Sequence, residues 1–379
     1  MRKNTVFAAL MCFSVCAAIM FTTIMAPGVT YALAADTRVS GVTERLQRFG
    51  DAFAGRFKDD NTGSADNTGA DFVTEQVLLG GYPIGLKLYA DGVVVVGTEA
   101  VDTENGEVNS AEKAGIRVGD IIKNVNGKRI TRNAEVSALI EHSGGEMLEM
   151  TVERGEKTFD VHFRSAFSVS ENKYKAGMWI RDSSAGIGTV SFCTVNGGYA
   201  SLGHAVCDID TKEVIPISTG ECTGVELTGF VKGTQGAAGE LCGYLENGRT
   251  GSVLANDEIG VYGSFDEVPP GELFEIAAPA EIQKGYAQMY TTVENGETLA
   301  YDIEITEISN SEKVRNLTVK VTDENLINKT GGIIQGMSGS PIVQNGKIVG
   351  AVTHVFVNDP LGGYGIFAST MLGEIRRLS

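Results

Sequence analysis

Gly336-Met337-Ser338-Gly339-Ser340-Pro341 runs directly into Ile342-Val343-Gln344-Asn345-Gly346-Lys347-Ile348-Val349-Gly350-Ala351-Val352. Two apolar runs flank Asn345-Gly346, a dipeptide suited to a type I′ hairpin because both central residues need positive φ. A glycine-rich turn therefore delivers Ser338 onto a β-hairpin. Small neighbours let a carbonyl approach that hydroxyl. Successive backbone N–H groups of such a turn can converge on a developing oxyanion. Ser338 is thus a candidate nucleophile, with the N–H groups of Gly336 and Ser338 as candidate oxyanion donors. The plain alternative is a Gly/Ser turn that enters a strand and carries no chemistry.

The loop and hairpin resemble those of chymotrypsin-like serine peptidases, which usually read Gly-x-Ser-Gly-Gly-Pro; Ser340 stands here in place of the last glycine. Such a serine needs a base. The four histidines are His142, His162, His204 and His354. His142 reads as a polar helix end, and His162 falls beside it in the same region. His354 lies in the strand after the hairpin, which in a chymotrypsin-like fold lines the substrate groove. His204 sits in Ser201-Leu202-Gly203-His204-Ala205-Val206, small residues at a strand end where an imidazole can face a cleft. A base that must come from the other barrel favours His204. For the orienting carboxylate, Asp208, Asp210, Asp323 and Asp359 all stay open, because spacing does not choose among them.

The 379 residues exceed one ordinary domain. With 42% hydrophobic residues, 48 glycines and one tryptophan, the composition suits short strands and many turns. A net charge of −17 without a basic cluster disfavours nucleic acid as a partner. Neither Cys-x-x-Cys nor His-Glu-x-x-His occurs, so zinc is not expected, and nothing calls for another metal or a cofactor. Cys193, Cys207, Cys222 and Cys242 are open to two readings, disulfides in an exported domain or small buried residues.

Arg2 and Lys3 precede Val6–Ala26, about 21 residues without a charge, long enough for a membrane helix with its N-terminus in the cytoplasm. Ala32-Leu33-Ala34 offers a cleavage site instead, and either reading exports the remainder. Apolar residues from Val39 to Phe57 recur at helical spacing. Asp59–Gly69 then reads as a flexible linker, and a cut between Ala35 and Asp71, by the enzyme itself or by a neighbour, would release the anchored form. Ser110–Ile122 and the following Val125-Asn126-Gly127-Lys128 predict a short helix ending at glycine, a turn, a strand and a hairpin. This stretch resembles a PDZ domain. The resemblance puts the second helix at Asn133–His142 and makes Ile84, Gly85 and Leu86 the loop that binds a peptide as an added strand. Beyond Ser165 come short strands with turn signals at Gly188–Val195, Val214–Ser218, Val225–Val231 and Leu299–Ile308, then a last helix at Met371–Leu378.

The exported part as a whole resembles the SpoIVB-type stage IV sporulation serine peptidases. The pieces that carry this are Met178–Thr189, Gly203-His204, Thr330-Gly331-Gly332-Ile333 and Gly336–Pro341. The resemblance implies His204, Asp323 and Ser338 as a triad, although an aspartate so near the serine departs from chymotrypsin spacing. It implies a mainly β chain: an anchor (1–35), a helix and linker (36–71), a PDZ domain (72–165) and a chymotrypsin-like double β-barrel (166–379). It also implies an enzyme in the forespore inner membrane, facing the intermembrane space. There it would cleave a membrane-bound regulator of an intramembrane protease and so trigger a late mother-cell sigma factor. A non-catalytic PDZ adaptor on a degenerate protease fold is the alternative, and a structural spore protein a third.

Overall fold

The computed structural model describes residues 75–379 except Asn295. The expected anchor, amphipathic helix, linker and release site all lie outside the described residues. Among the described residues no helix is long and apolar enough to cross a membrane.

A short strand, β1 (Gln76–Leu79), leads into β2 (Pro83–Thr98), which belongs to two cores. Ile84, Leu86, Leu88 and Ala90 alternate inward, as period two requires. After Asp91-Gly92 the inward positions become Val93 and Val95. Shifting parity by one residue turns the opposite face of a strand inward. Gly92 makes the shift possible, with φ 127° and no room for a Cβ, which would lie 2.7 Å from the Ile122 carbonyl oxygen.

The second half of β2 opens an inserted unit. Helix α1 (Ser110–Lys113) is capped by Asn109, whose Oδ1 accepts from Glu112 N–H, and Gly115 ends the turn at φ 79°. Then come β3 (Ile121–Val125), α2 (Asn133–His142), β4 (Met147–Arg154) and β5 (Lys157–Arg164). Strand β6 (Met178–Thr194) completes the sheet in the order β5-β4-β3-β2-β6. Val136 and Ile140 of α2 close the core. Buried Asp120 is satisfied by both nitrogens of an Arg154 fork and by Arg117 N–H.

Strand β6 mirrors β2. Met178–Arg181 pairs inside the inserted unit, a bulge follows, and Ser183–Thr189 pairs with the first half of β2. With β7 (Gly198–Ser201), β8 (Ile217–Thr223), β11 (Gly251–Asp257) and β12 (Gly260–Phe265) these halves close a ring. The pairings run β2-β6-β7-β12-β11-β8-β2, a closed six-stranded barrel around Leu86, Leu88, Val190 and Tyr199. A hairpin of β9 (Val225–Val231) and β10 (Glu240–Leu245) projects between β8 and β11.

The next six strands close a second ring. They are β13 (Gly285–Thr292), β14 (Thr298–Ile308), β15 (Leu317–Val321), β16 (Pro341–Gln344), β17 (Lys347–Phe356) and β18 (Asp359–Phe367). Pairing runs β13-β14-β15-β18-β17-β16-β13 around Met289, Ile303, Val319 and Ile342. Helix α3 (Glu324–Thr330) connects β15 to the Ser338 loop. Helix α4 (Ala368–Leu378) sets Met371, Leu372 and Ile375 into a third cluster. That cluster joins Phe192 and Tyr262 of the first barrel to Ile348 and Ile366 of the second. The barrels therefore share a core.

Two sequence expectations are corrected here. The first barrel begins at β2, so residues 83–92 are not part of the inserted unit, and that unit interrupts the barrel rather than preceding it. Ile84, Gly85 and Leu86 form no peptide loop. Ile84 and Leu86 point into the barrel core, and the strand that carries them is already paired on both sides with β6 and β8. No edge is left there for an added strand. The four cysteines outside the N-terminal segment are free thiols, with Cys193 and Cys222 buried in the first barrel.

Candidate active site

Ser338 lies on the loop between α3 and β16. Gly336 and Gly339 both take left-handed φ angles, 95° and 100°. At Gly339 a Cβ would fall 2.0 Å from the Thr189 carbonyl oxygen. Only glycine lets the loop approach the first barrel this closely. Ser340 is buried with no partner for its hydroxyl among the described residues, so of the two serines only Ser338 can meet a substrate.

The backbone groups of this loop can be accounted for one by one. The Gln335 carbonyl accepts from Leu241 N–H of β10 at 2.8 Å, and the Met337 carbonyl from Ser340 N–H at 2.9 Å. Thr189 of β6 takes the alternate pair. Its Oγ1 donates to the Gly336 carbonyl at 2.7 Å and its N–H to the Ser338 carbonyl at 3.0 Å. Among the amides, Gln335 donates to Gly239, Met337 to Ile334, Gly339 to Val352 and Ser340 to Met337. The N–H groups of Gly336 and Ser338 alone in this run have no acceptor among the described residues. Two free donors on alternate peptides of one rigid turn match what an oxyanion needs.

His204 comes from the first barrel, at the turn after β7. Leu202 and Gly203 both take left-handed φ, 62° and 69°, and swing the imidazole out of the strand. Its Nδ1 lies 2.8 Å from the Ala205 carbonyl oxygen. A carbonyl only accepts, so Nδ1 carries the proton and Nε2 keeps the lone pair. Burial pushes the imidazole below its ordinary pKa, partly offset by this hydrogen bond. His204 is therefore neutral at neutral pH, as a base must be.

The His354 ring packs against that of His204, with centroids 4.6 Å apart and planes tilted by 37°. Loss of water around the ring, then the nearby His204 and Arg315, push the His354 pKa down. It faces the base as a neutral ring. The adjoining Thr353 carbonyl accepts the Ser338 hydroxyl at 2.6 Å. In this state the serine proton is held on β17.

None of the carboxylates weighed from the sequence touches His204 among the described residues. Asp323 is the N-cap of α3, its Oδ1 accepting from Leu326 N–H at 3.0 Å and its Oδ2 from Asp302 N–H at 3.4 Å. Burial raises the Asp208 pKa, but the N–H groups of Thr211 and Asp210 and the Arg181 guanidinium outweigh it and hold the carboxyl below its ordinary value. Asp210 pairs with Arg181, and Asp359 accepts from Leu361 N–H in the β17–β18 turn. Among the described residues the partner of His204 Nδ1 is a backbone carbonyl rather than Asp323. Among the other histidines, His142 bonds the Ala138 carbonyl at the end of α2, and His162 lies on the exposed face of β5.

The sequence reading gave no role to Thr189, Asn256 or the β9–β10 hairpin, of which it placed only the strand Val225–Val231. Thr189 ends a segment already singled out for its resemblance. Asn256 follows the apolar run Val253-Leu254-Ala255 and opens the polar Asn256-Asp257-Glu258, which reads as an ordinary strand end.

A search of curated proteins found no match. Among solved structures, the active form of the Rv3671c protease from M. tuberculosis aligns at 16% identity, covering 52% of this chain and 75% of that one, with a TM-score of 0.34. Its inactive form aligns at 15% identity, covering 51% and 84%, with a TM-score of 0.31. A PDZ domain model matches residues 110–154, within the inserted unit. The SpoIVB peptidase S55 model matches residues 172–372, just over half of the chain. That match spans the His204 turn, the Ser338 loop and both barrels' catalytic edges, and the chain belongs to the SpoIVB peptidase S55 family of serine peptidases.

Proposed function

We propose that this serine peptidase is an endopeptidase of the two-barrel chymotrypsin type, anchored in a membrane and exported, that cuts a membrane-bound regulatory protein during sporulation. One observation carries the catalytic part. Ser338 sits on a turn with two unpaired N–H groups, and His204 sits in the tautomer whose Nε2 is free. In this reading the Ser338 hydroxyl leaves the Thr353 carbonyl and turns to His204. Nε2 takes the proton as Oγ bonds to the scissile carbonyl carbon. The Gly336 and Ser338 N–H groups meet the resulting oxyanion, and the imidazolium returns its proton to the leaving amine. Water then repeats the sequence on the acyl-enzyme.

The regulatory part has different support. Family membership favours a sporulation signal, in which the released regulator frees an intramembrane protease. The apolar run Val6–Ala26 after Arg2 and Lys3 favours an anchor, and the polar stretch Asp59–Gly69 favours release by a cut within 35–71. A bound peptide would join the PDZ domain along Met178–Arg181, which among the described residues pairs on one side only, beside α2.

A fluorophosphonate probe tests the catalytic assignment on the full chain. Wild type is expected to label, Ser338→Ala to fall to background, and Ser340→Ala to keep most of the rate. Labelling of Ser338→Ala would sink the assignment. An unlabelled wild type would favour the non-catalytic adaptor.

A further inference from the structure

Taking Ser338 and His204 as the reacting pair, we propose that Arg181 of the inserted unit is a positioning residue of the base. It grips the loop that follows His204, so the inserted unit acts on the catalytic turn itself. Arg181 is the last residue of the edge Met178–Arg181, paired there with Val94 and followed by the bulge at which β6 passes into the first barrel. Its guanidinium divides between two carboxylates. Nη1 donates to Asp208 Oδ2 at 2.7 Å and Nη2 to Asp210 Oδ2 at 2.8 Å. Both aspartates belong to the loop that leaves His204 and returns toward β8.

Asp208 is the centre of that loop. Its N–H donates to the Glu213 carbonyl, its carbonyl accepts from Lys212 N–H, and its Oδ1 accepts from the N–H groups of Asp210 and Thr211. The loop closes where Cys207 pairs with Val214 and where Ile215 N–H reaches the carbonyl of Val206, two residues after His204. A shift of the loop therefore reaches the base within a short run of backbone. The inserted unit meets the same loop again, since a Cβ at Gly119 would lie 3.4 Å from Glu213 Oε2. Burial decides which of the two ion pairs matters. The Asp208 side chain is 6% exposed and that of Asp210 45%. An exposed pair contributes little. Removing one partner of a buried pair leaves a charge that must find water. Without Arg181 the Asp208 carboxylate keeps two N–H partners but loses its cation. The loop must open to hydrate it, and the His204 turn moves with the loop.

The test measures fluorophosphonate labelling of the full chain, with maximal rate and probe affinity separated and melting followed on the same samples. R181A is expected to lower the maximal rate about tenfold, below the ~10²-fold of a full misplacement of a catalytic group, with probe affinity unchanged. R181K, a point charge without the fork, should fall between R181A and wild type. D210N should label like wild type. In R181A/D208N the buried charge is gone with its partner, so this double variant should label no slower than R181A. F163L is the reference for lost stability alone. Phe163 is fully buried in β5, at the opposite edge of its sheet from β6, so F163L should melt lower and label at the wild-type rate. R181A at the wild-type rate overturns the proposal. So do additive losses in the double variant, or a rate in F163L that falls with its melting temperature as far as in R181A. If R181A does not fold, R181Q decides by the same separation: a lower maximal rate at unchanged affinity supports the role, and a wild-type rate refutes it. H204A and S338A are the controls. Labelled S338A would defeat the reacting pair itself, whereas unlabelled S338A beside R181A at the wild-type rate defeats only the role of Arg181.

Discussion

The two loops that meet in the cleft are fixed in opposite ways. Around Ser338 four consecutive carbonyls are tied, two of them to Thr189 of the other barrel, and the glycines at 336 and 339 admit no alternative packing. Around His204 the turn is held by a side chain, Asn256, reaching across from β11. The nucleophile loop is a rigid backbone object and the base is a ring aimed from outside. Rigidity matters more for the oxyanion donors, because backbone N–H groups cannot adjust by changing rotamer, whereas an imidazole can. Damage to the first loop should therefore cost activity and fold together, and damage to the second mainly orientation.

The largest contrast comes from placing one methyl in each loop. Gly339→Ala sets a Cβ 2.0 Å from the Thr189 backbone oxygen at a φ of 100°, where neither side can yield. Backbone strain alone costs about 1–3 kcal/mol, and the displaced loop should bring labelling to background. Gly203→Ala meets the Thr353 Cγ2 methyl at 2.6 Å, and its φ of 69° lies in the left-handed region that other residues tolerate. It should melt higher than Gly339→Ala and keep measurable labelling. Equal losses would mean that the loops are equally rigid. Thermal melts with labelling of the same samples decide this.

A smaller effect isolates the tie between the barrels. Thr189→Val is close in shape to threonine and removes only the hydroxyl bond to the Gly336 carbonyl. Loss of an oxyanion donor costs about 10²–10³ in rate. Loosening the peptide next to one should cost less, about tenfold, with probe affinity unchanged. Thr189→Ser should restore the rate. A wild-type rate in Thr189→Val would leave the backbone bonds sufficient and the hydroxyl incidental.

How much of this was legible follows from where the information lies along the chain. The Ser338 loop is contiguous, and glycine at 336 and 339 announces the φ angles it needs, so the turn that presents Ser338 and its neighbouring N–H groups was readable from six letters. His204 was readable because few histidines compete and Gly203 marks its turn. The helix Asn133–His142 and the strand Val225–Val231 were found with the bounds they have. The inserted unit was seen, but not that it interrupts a barrel, because β2 is one continuous strand and only Asp91-Gly92 marks the change of core. Thr189, Leu241 and Asn256 make pairings 41 or more residues apart in sequence. No local pattern encodes such a contact. Asp323 came from the family resemblance, and its place before Glu324-Asn325-Leu326 also reads as a helix cap, the role it has among the described residues.

Asp323 gives the smallest expected effect and the sharpest conflict with the family resemblance. As the N-cap of α3 it bonds Leu326 N–H, a task that asparagine performs about equally well. Asp323→Asn should therefore melt and label like wild type. Asp323→Ala should lose about 0.5–2 kcal/mol of stability, the usual value of such a cap, with part of that loss passed to the Ser338 loop that α3 leads into. A triad role requires the opposite order. Replacing an orienting carboxylate by its amide inverts the tautomer of the base and costs orders of magnitude without unfolding anything. A fall of more than tenfold in labelling by Asp323→Asn, at an unchanged melting temperature, would return Asp323 to the catalytic group. It would also require the N-terminus of α3 to move toward His204 when substrate binds. Wild-type behaviour would instead leave Asp323 as the cap of α3.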